Sequence, residues 1–393
     1  MLEYLKNIKN SFKLKHYVNY IALTSVLVIF TVLYYAGALN RSTPTLITQI
    51  GYSIILAVSL NLVVGLLGEL SLGHAGFMCV GAYVGGLTAN VLVKNVPLWL
   101  ALVIAMVVGG IAAAVFGFIV GLPALRLRGD YLAIVTLAFG EIVRNICKNL
   151  AFFGGAQGLD SKWYSSALTK GKSAMPLFIP TLIAAIIMLF IIQNLIRSKH
   201  GRAITAIRDN EIAAKAMGVN VTYYKLLVFV ISAFFAGVAG AIYAGTTSPI
   251  QYSFFSYNYS IEILVMVVLG GMGSISGSII SAALITYINF ILKSSLSGDM
   301  AAVKTLVYAL ILIIMVIYKN APALKNVREK YNFRLYMSKL KAKLFNVKES
   351  ESDVTDDAGE WDNVPTKIIT DEILSTDFAL TNYSPDKPDK ETK

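Results

Sequence analysis

Charge is scarce in this chain: 15% of its 393 residues are Asp, Glu, Lys or Arg, against about 25% in soluble globular domains. With 56% hydrophobic residues beside that shortage, an ordinary soluble domain is excluded. Cysteine is scarcer still. Cys79 and Cys147 are the only two, both fall in or near apolar runs and no CxxC occurs, so neither a disulfide framework nor a thiolate metal site is indicated. The three histidines, His16, His74 and His200, are too scattered to hold a metal. GxSxG, HExxH and paired-carboxylate arrays are also missing. Gly171-Lys172-Ser173 resembles the end of a phosphate-binding loop, but Ser166 stands where that motif requires glycine. No catalytic residue, cofactor or metal is expected.

What the chain has instead is long apolar runs joined by short polar links. Runs near 18–39, 46–67, 74–93, 98–120, 131–148, 176–196, 226–245, 259–270, 277–293 and 303–319 predict an all-α, polytopic integral membrane protein of about ten transmembrane helices. The alternating pattern of a membrane barrel is not present. The start mimics a signal peptide, with basic residues, an apolar run and Ala36-Gly37-Ala38. Tyr17–Leu39 exceeds the usual apolar core of about 7–15 residues, so a first membrane anchor is the expectation.

The net charge of +11 raises the question of nucleic acid, and its distribution answers it. Positive residues gather at Lys6–Lys15, at Arg126 and Arg128, in the 198–218 loop, and at 325–348, where eight Lys and Arg face Glu329 alone. These are the flanks of apolar runs, where topology is set. No nucleic-acid partner is expected. With Lys6–Lys15 inside, ten crossings return the basic 325–348 segment to the cytoplasm, and nine would strand it outside. Both termini are therefore expected in the cytoplasm of a cell-membrane protein. The 149–175 loop is the outlier, external yet holding Lys162, Lys170 and Lys172 against Asp160.

This reading divides the chain into a basic N-terminus (1–17), a membrane domain (18–319) with a cytoplasmic loop at 197–224, a basic amphipathic segment (320–348), and an acidic tail (349–393) expected to be disordered. The 325–348 stretch spaces Val327, Tyr331, Leu335, Leu340 and Leu344 near one helical turn apart, which suits a helix lying on anionic lipid.

The most informative polar stretch is Ser198–Gly218. Alanine-rich Glu211–Gly218 favours a helix stopped by glycine, and Ala213 with Ala214 would leave a smooth surface able to sit in a partner's groove. Read on spacing alone, it is equally an ordinary helical connection. The loop resembles the EAA-type coupling loop of ABC importer permeases, in which Glu, paired Ala and Gly follow a fixed pattern. Further segments resemble, more narrowly, the branched-chain amino-acid ABC permeases: Ser59–Gly65, Leu70–Gly76 with Gly81–Tyr83, Gly121–Thr136, Gly201–Ala203 with Ala206–Arg208, and Leu269–Gly273. They run in order from about residue 46 to 319. Two departures stand out. The Ile-x-Leu-Pro ending of many coupling loops is absent, and Asn320-Ala-Pro-Ala with the tail replaces the usual glycine-containing terminus.

The resemblance implies the ABC importer permease fold and a transport subunit without its own ATPase. It would carry leucine, isoleucine and valine across the cell membrane, driven by two ABC ATPase subunits that use the ATP. A homologous permease and an extracellular or periplasmic solute-binding protein would complete the assembly in the lipid. The residues that match the coupling loop are Gly201, Arg202, Ala206, Arg208, Glu211, Ala213, Ala214 and Gly218. Candidates for a transport pathway are Asn61, Ser71, Gly73, His74, Thr136, Glu141, Arg144 and Glu262, because polar groups at membrane depth are costly. Glu141 and Arg144 share a helix face at i,i+3. The same residues read equally as interface groups, and the glycines among them as close-packing sites. The aromatics of Pro249–Tyr259 read as an interfacial belt or as a landing surface for a binding protein. A urea or short-chain amide permease, an ion-coupled secondary transporter and a membrane-anchored scaffold are the competing readings.

Overall fold

The computed structural model describes residues 18–36, 42–93, 95–125, 130–161 and 177–295, together with 310 and 313. The expected tenth helix at 303–319, the 1–17 segment, Arg126 and Arg128, the Gly171–Ser173 motif, and the 320–348 and 349–393 segments lie outside the described residues, apart from positions 310 and 313.

The described residues are helical and contain no strand, only an isolated bridge between Leu159 and Ile250. The long helices are α1 (Val18–Tyr35), α2 (Thr43–Asn61), α3 (His74–Leu92), α4 (Leu98–Ala124), α5 (Asp130–Asn149), α6 (Phe178–Arg197), α9 (Val221–Ala244), α10 (Tyr257–Gly270) and α11 (Ile275–Ser295). Two short helices, α7 (Lys199–Asp209) and α8 (Glu211–Ala216), sit between α6 and α9. Six are long and apolar enough to cross a membrane: α2 with its extension to Leu67, α3, α4, α6, α9 and α11. Helices α1, α5 and α10 occupy predicted spans as well, and α5 and α10 fall short of that combined length and hydropathy. For α5 the cause is its polar content, which includes Glu141, Arg144 and Lys148.

Helix α9 is the axis of the bundle, packing against α3, α4 and α2. In lipid there is little hydrophobic drive between helices, so close approach through small residues supplies the packing. A Cβ added to Gly81 of α3 would lie 2.1 Å from the Gly237 carbonyl oxygen of α9, and one on Gly240 would lie 2.1 Å from the Met78 carbonyl oxygen. Only glycine admits that contact. On α4, Val107, Ile111, Val115 and Ile119 recur at the spacing of one helix face, and all are exposed, as a lipid-facing stripe requires.

The aromatic segment after α9 is partly core. Phe255 is buried, and Phe254 stacks on Tyr243 with ring centroids 4.4 Å apart. Tyr257 remains half-exposed.

Candidate functional site: the paired short helices and the bundle end beneath them

The segment between α6 and α9 is built by its caps. The Ser198 hydroxyl accepts from the amides of His200 and Gly201 at 3.1 and 3.3 Å, starting α7. Gly201, Ile204 and Ile207 are buried at i, i+3 spacing, which lays α7 on the bundle while Arg202 and Ala206 face outward. Asn210 turns the corner: its extended backbone ends α7, and its side-chain Oδ1 accepts from the Ala213 amide at 3.0 Å to begin α8. Gly218 ends α8 at φ 83°, and an added Cβ would meet nothing within 4 Å. There glycine serves backbone conformation rather than space. Asn220 then caps α9 through the Tyr223 amide.

The outward face of α8 differs from the smooth alanine surface expected from sequence. Ala213 is exposed, but Ala214 is buried against the bundle. The exposed apolar groups are Ile212 at 76% and Met217 at 84%. Two large apolar side chains, one on this six-residue helix and one at its C-cap, are costly to leave this exposed to water.

Beneath this pair, three sequence-distant segments meet. Residues 62–67 continue α2 as a wider π-type turn. Asn61 Oδ1 accepts from the Gly273 amide at 2.8 Å, and its Nδ2 donates to the Ser274 carbonyl at 3.1 Å. The turn between α10 and α11 is thereby clamped to the C-terminal end of α2. A Cβ on Gly65 would sit 2.1 Å from the Gly273 nitrogen, so the glycines of the Ser59–Gly65 and Leu269–Gly273 motifs are each other's packing partners. Arg208 of α7 completes the contact by donating from Nη1 to the Gly65 carbonyl at 2.8 Å.

A second link is ionic. Lys225 Nζ lies 2.5 Å from Glu69 Oε1 and 3.1 Å from Glu211 Oε2. Lys225 is 3% exposed. Glu211 therefore spends its charge inside the chain, holding α8 to α9. Lys225 escaped the sequence reading because the apolar run was started at Leu226, which left the lysine among flanking charges. In the structure, α9 begins at Val221, so Lys225 sits one turn inside it. The signal was a lysine followed by 36 residues without another charge.

The pathway candidates separate into four places. Gly68, at φ 81°, ends the π-type turn, and residues 69–73 run back along α2 until His74 Nε2 reaches Ser59 Oγ at 2.8 Å. Ser59 lies eight residues before Leu67, so the segment doubles back about 12 Å at a rise of about 1.5 Å per residue. Non-helical backbone at that depth needs partners within the protein. The Leu72 amide donates to Thr136 Oγ1 at 3.0 Å, and the Ala75 amide to Ser260 Oγ at 3.1 Å. A Cβ on Gly73 would strike the Thr136 carbonyl oxygen. Ser71, Gly73, His74 and Thr136 are thus brought together, all buried. Among the described residues Ser71 Oγ has no hydrogen-bond partner. Asn61 belongs to the clamp described above. Glu141 and Arg144 pair with each other at 2.6 Å, and Glu141 Oε1 also accepts from the Tyr257 amide at the start of α10. Glu262 accepts from Asn289 across α10 and α11.

The site thus has an outward apolar face, two ties from that face into the bundle, and a buried re-entrant segment at the far end of one tie.

Comparison with known proteins gives this arrangement a context. The family model described as "Branched-chain amino acid transport system / permease component" matches residues 42–317. The high-affinity branched-chain amino acid transport system permease protein LivM of Salmonella typhimurium is 34% identical over 308 residues, covering 72% of this chain and 69% of that protein. LivM of Escherichia coli is 34% identical over 305 residues, covering 71% and 69%. The L-arabinose transport system permease protein AraH of Escherichia coli is 28% identical over 257 residues, covering 65% and 75%.

Proposed function

Because the chain belongs to the branched-chain amino acid transport system permease family, we propose that it is the membrane-spanning subunit of an ATP-driven importer of leucine, isoleucine and valine. The observation that carries this reading is the α7–α8 pair, which presents Ile212 and Met217 outward while Arg208 and Glu211 tie it to the bundle. An apolar pair on a short helix at the end of a membrane bundle suits the groove of a soluble ATPase. Burying both side chains is worth about 1.5–3 kcal/mol each. The chain lacks a phosphate-binding loop of its own, so hydrolysis is assigned to two ATPase subunits, with a second permease and a solute-binding protein completing the assembly. Both ends of the chain are assigned to the cytoplasm, on the side of α7 and α8.

In the proposed cycle, ATP binding closes the ATPase pair and displaces the docked α7–α8 unit. Rigid-body rocking of the bundle then moves a central solute site from outside access to inside access. Leucine-type cargo is favoured over pentose by the higher identity to the LivM proteins than to the arabinose permease.

Replacing Met217 and Ile212 together by aspartate tests the docking face. Both side chains are exposed, so membrane level and thermal stability should be unchanged. Co-purification of ATPase subunits and ATP-dependent uptake should be lost. Normal uptake in the double variant would contradict the assignment.

A further inference from the structure

We propose that Lys225 is a positioning residue that carries displacement of α8 to the re-entrant segment 69–73. The proposal rests on the transport reading above and assigns to it a specific relay. One ammonium group joins a carboxylate on each of the two elements: Glu211, the first residue of α8, at 3.1 Å, and Glu69, the first residue of the re-entrant segment, at 2.5 Å. All three belong to different parts of the chain, separated by 14 and 156 positions.

The burial gradient fits a relay better than a surface decoration. Lys225 and Glu69 side chains are 4% and 14% exposed, whereas Glu211 is 37% exposed. An ion pair screened from water is far stiffer than one in it, because attraction rises as the effective dielectric falls. Pulling α8 therefore moves the lysine, and the lysine draws the more deeply buried Glu69. Arg208, the other tie, ends on the Gly65 carbonyl of the clamped α2 end, so it joins α7 to the clamp rather than to the re-entrant segment. Its side chain also lies against Gly68, beside the hinge from which segment 69–73 departs.

That segment has the features of an element with two arrangements. Its entry is the left-handed Gly68, and its far end is pinned by Leu72 to Thr136 and by His74 to Ser59. Between them Ser71 Oγ is buried without a partner among the described residues, and an unmet buried hydroxyl is destabilising. A shifted segment in which that hydroxyl finds a partner relieves the penalty. A pull transmitted through Glu69 would then have a second arrangement to favour.

The test uses the whole assembly, co-expressed and reconstituted in proteoliposomes, with uptake and ATP hydrolysis measured together. Lys225→Met is compared with Lys225→Arg and with the neutral triple variant Glu69→Gln, Glu211→Gln, Lys225→Met. In the triple variant no buried charge is left unpaired, so folding recovers while the link stays cut. The expected result is that solute moved per ATP falls by roughly 2- to 30-fold in Lys225→Met, the range spanned by coupling changes of this kind. The triple variant should show the same fall, and Lys225→Arg should keep most of the ratio. A Ser71→Cys thiol should change its alkylation rate on vanadate trapping when Lys225 is present, and should not when it is Met. If the triple variant restores the ratio together with stability, Lys225 is merely structural and the proposal is overturned. If the wild-type assembly shows no ATP-driven uptake at all, the transport reading falls and takes this relay with it.

Discussion

Gly65→Ala is the sharpest structural perturbation available. The added Cβ would lie 2.0 Å from Asn61 Oδ1, 2.1 Å from the Gly273 nitrogen and 2.8 Å from the Gly273 Cα. Asn61 can rotate away, but only by giving up its bonds to the Gly273 amide and the Ser274 carbonyl. The Gly273 nitrogen is backbone and cannot rotate. The turn between α10 and α11 must therefore retreat by more than about 1 Å to reach ordinary contact of about 3.5 Å. Overpacking of this kind costs about 1–3 kcal/mol, and two lost hydrogen bonds add about 1 kcal/mol each. The total is about 3–5 kcal/mol. Domains of 150–250 residues lose about 2–4 °C per kcal/mol, so Gly65→Ala should lower the apparent Tm by about 6–20 °C. Unfolding from detergent is commonly irreversible, so wild type and variants are compared at one scan rate. Gly218→Ala is the control: its Cβ meets open space, and only the left-handed backbone is penalised, by about 1–2 kcal/mol. A fall for Gly65→Ala no larger than that for Gly218→Ala would mean that α2 does not meet the glycine turn.

Two further outcomes follow from single contacts. Asn210→Ala removes the cap that starts α8, a loss of about 0.5–2 kcal/mol. ATP-dependent uptake should drop while α9 and the bundle keep their thermal stability, and unchanged uptake would show that α8 does not depend on the cap. Cys79 of α3 and Cys147 of α5 hold their thiol sulfurs 3.7 Å apart, both buried. Mild oxidation by a small membrane-permeant oxidant such as diamide should join them, giving a Cys79–Cys147 disulfide by peptide mass spectrometry. Two free thiols after exhaustive oxidation would contradict the α3–α5 contact.

The helices were legible because a membrane leaves little choice: a run of about 20 apolar residues has to be a helix. Nine of the runs appear within a few residues of where hydropathy places them, and the runs 259–270 and 277–293 are two separate helices, α10 and α11. What hydropathy could not show is partnership. Gly65 and Gly273 stand in two separate motifs of the sequence, and only the fold shows that they pack on each other. Lys225 was lost at a boundary, since a charge beside an apolar run is assigned outside it unless the cap, here Asn220, is recognised first. Ala214 was misplaced for a similar reason. On a six-residue helix, one position decides which alanine faces the groove, and the buried side is set by contacts with the bundle that no local pattern encodes. Hydropathy marked Ser71 and His74 as polar groups beside a break, but the backward run that brings them to Ser59 and Thr136 is a long-range packing outcome.

The central claim is that this chain passes branched-chain amino acids at the expense of ATP hydrolysed by its partners. The direct measurement is uptake of labelled leucine into proteoliposomes holding the co-purified assembly and its binding protein, with ATP supplied at the face bearing α7 and α8. The account predicts accumulation that requires hydrolysable ATP, competes with isoleucine and valine, and is indifferent to urea and L-arabinose. Accumulation driven by an ion gradient without ATP, or competed by urea or L-arabinose in place of valine, would contradict it.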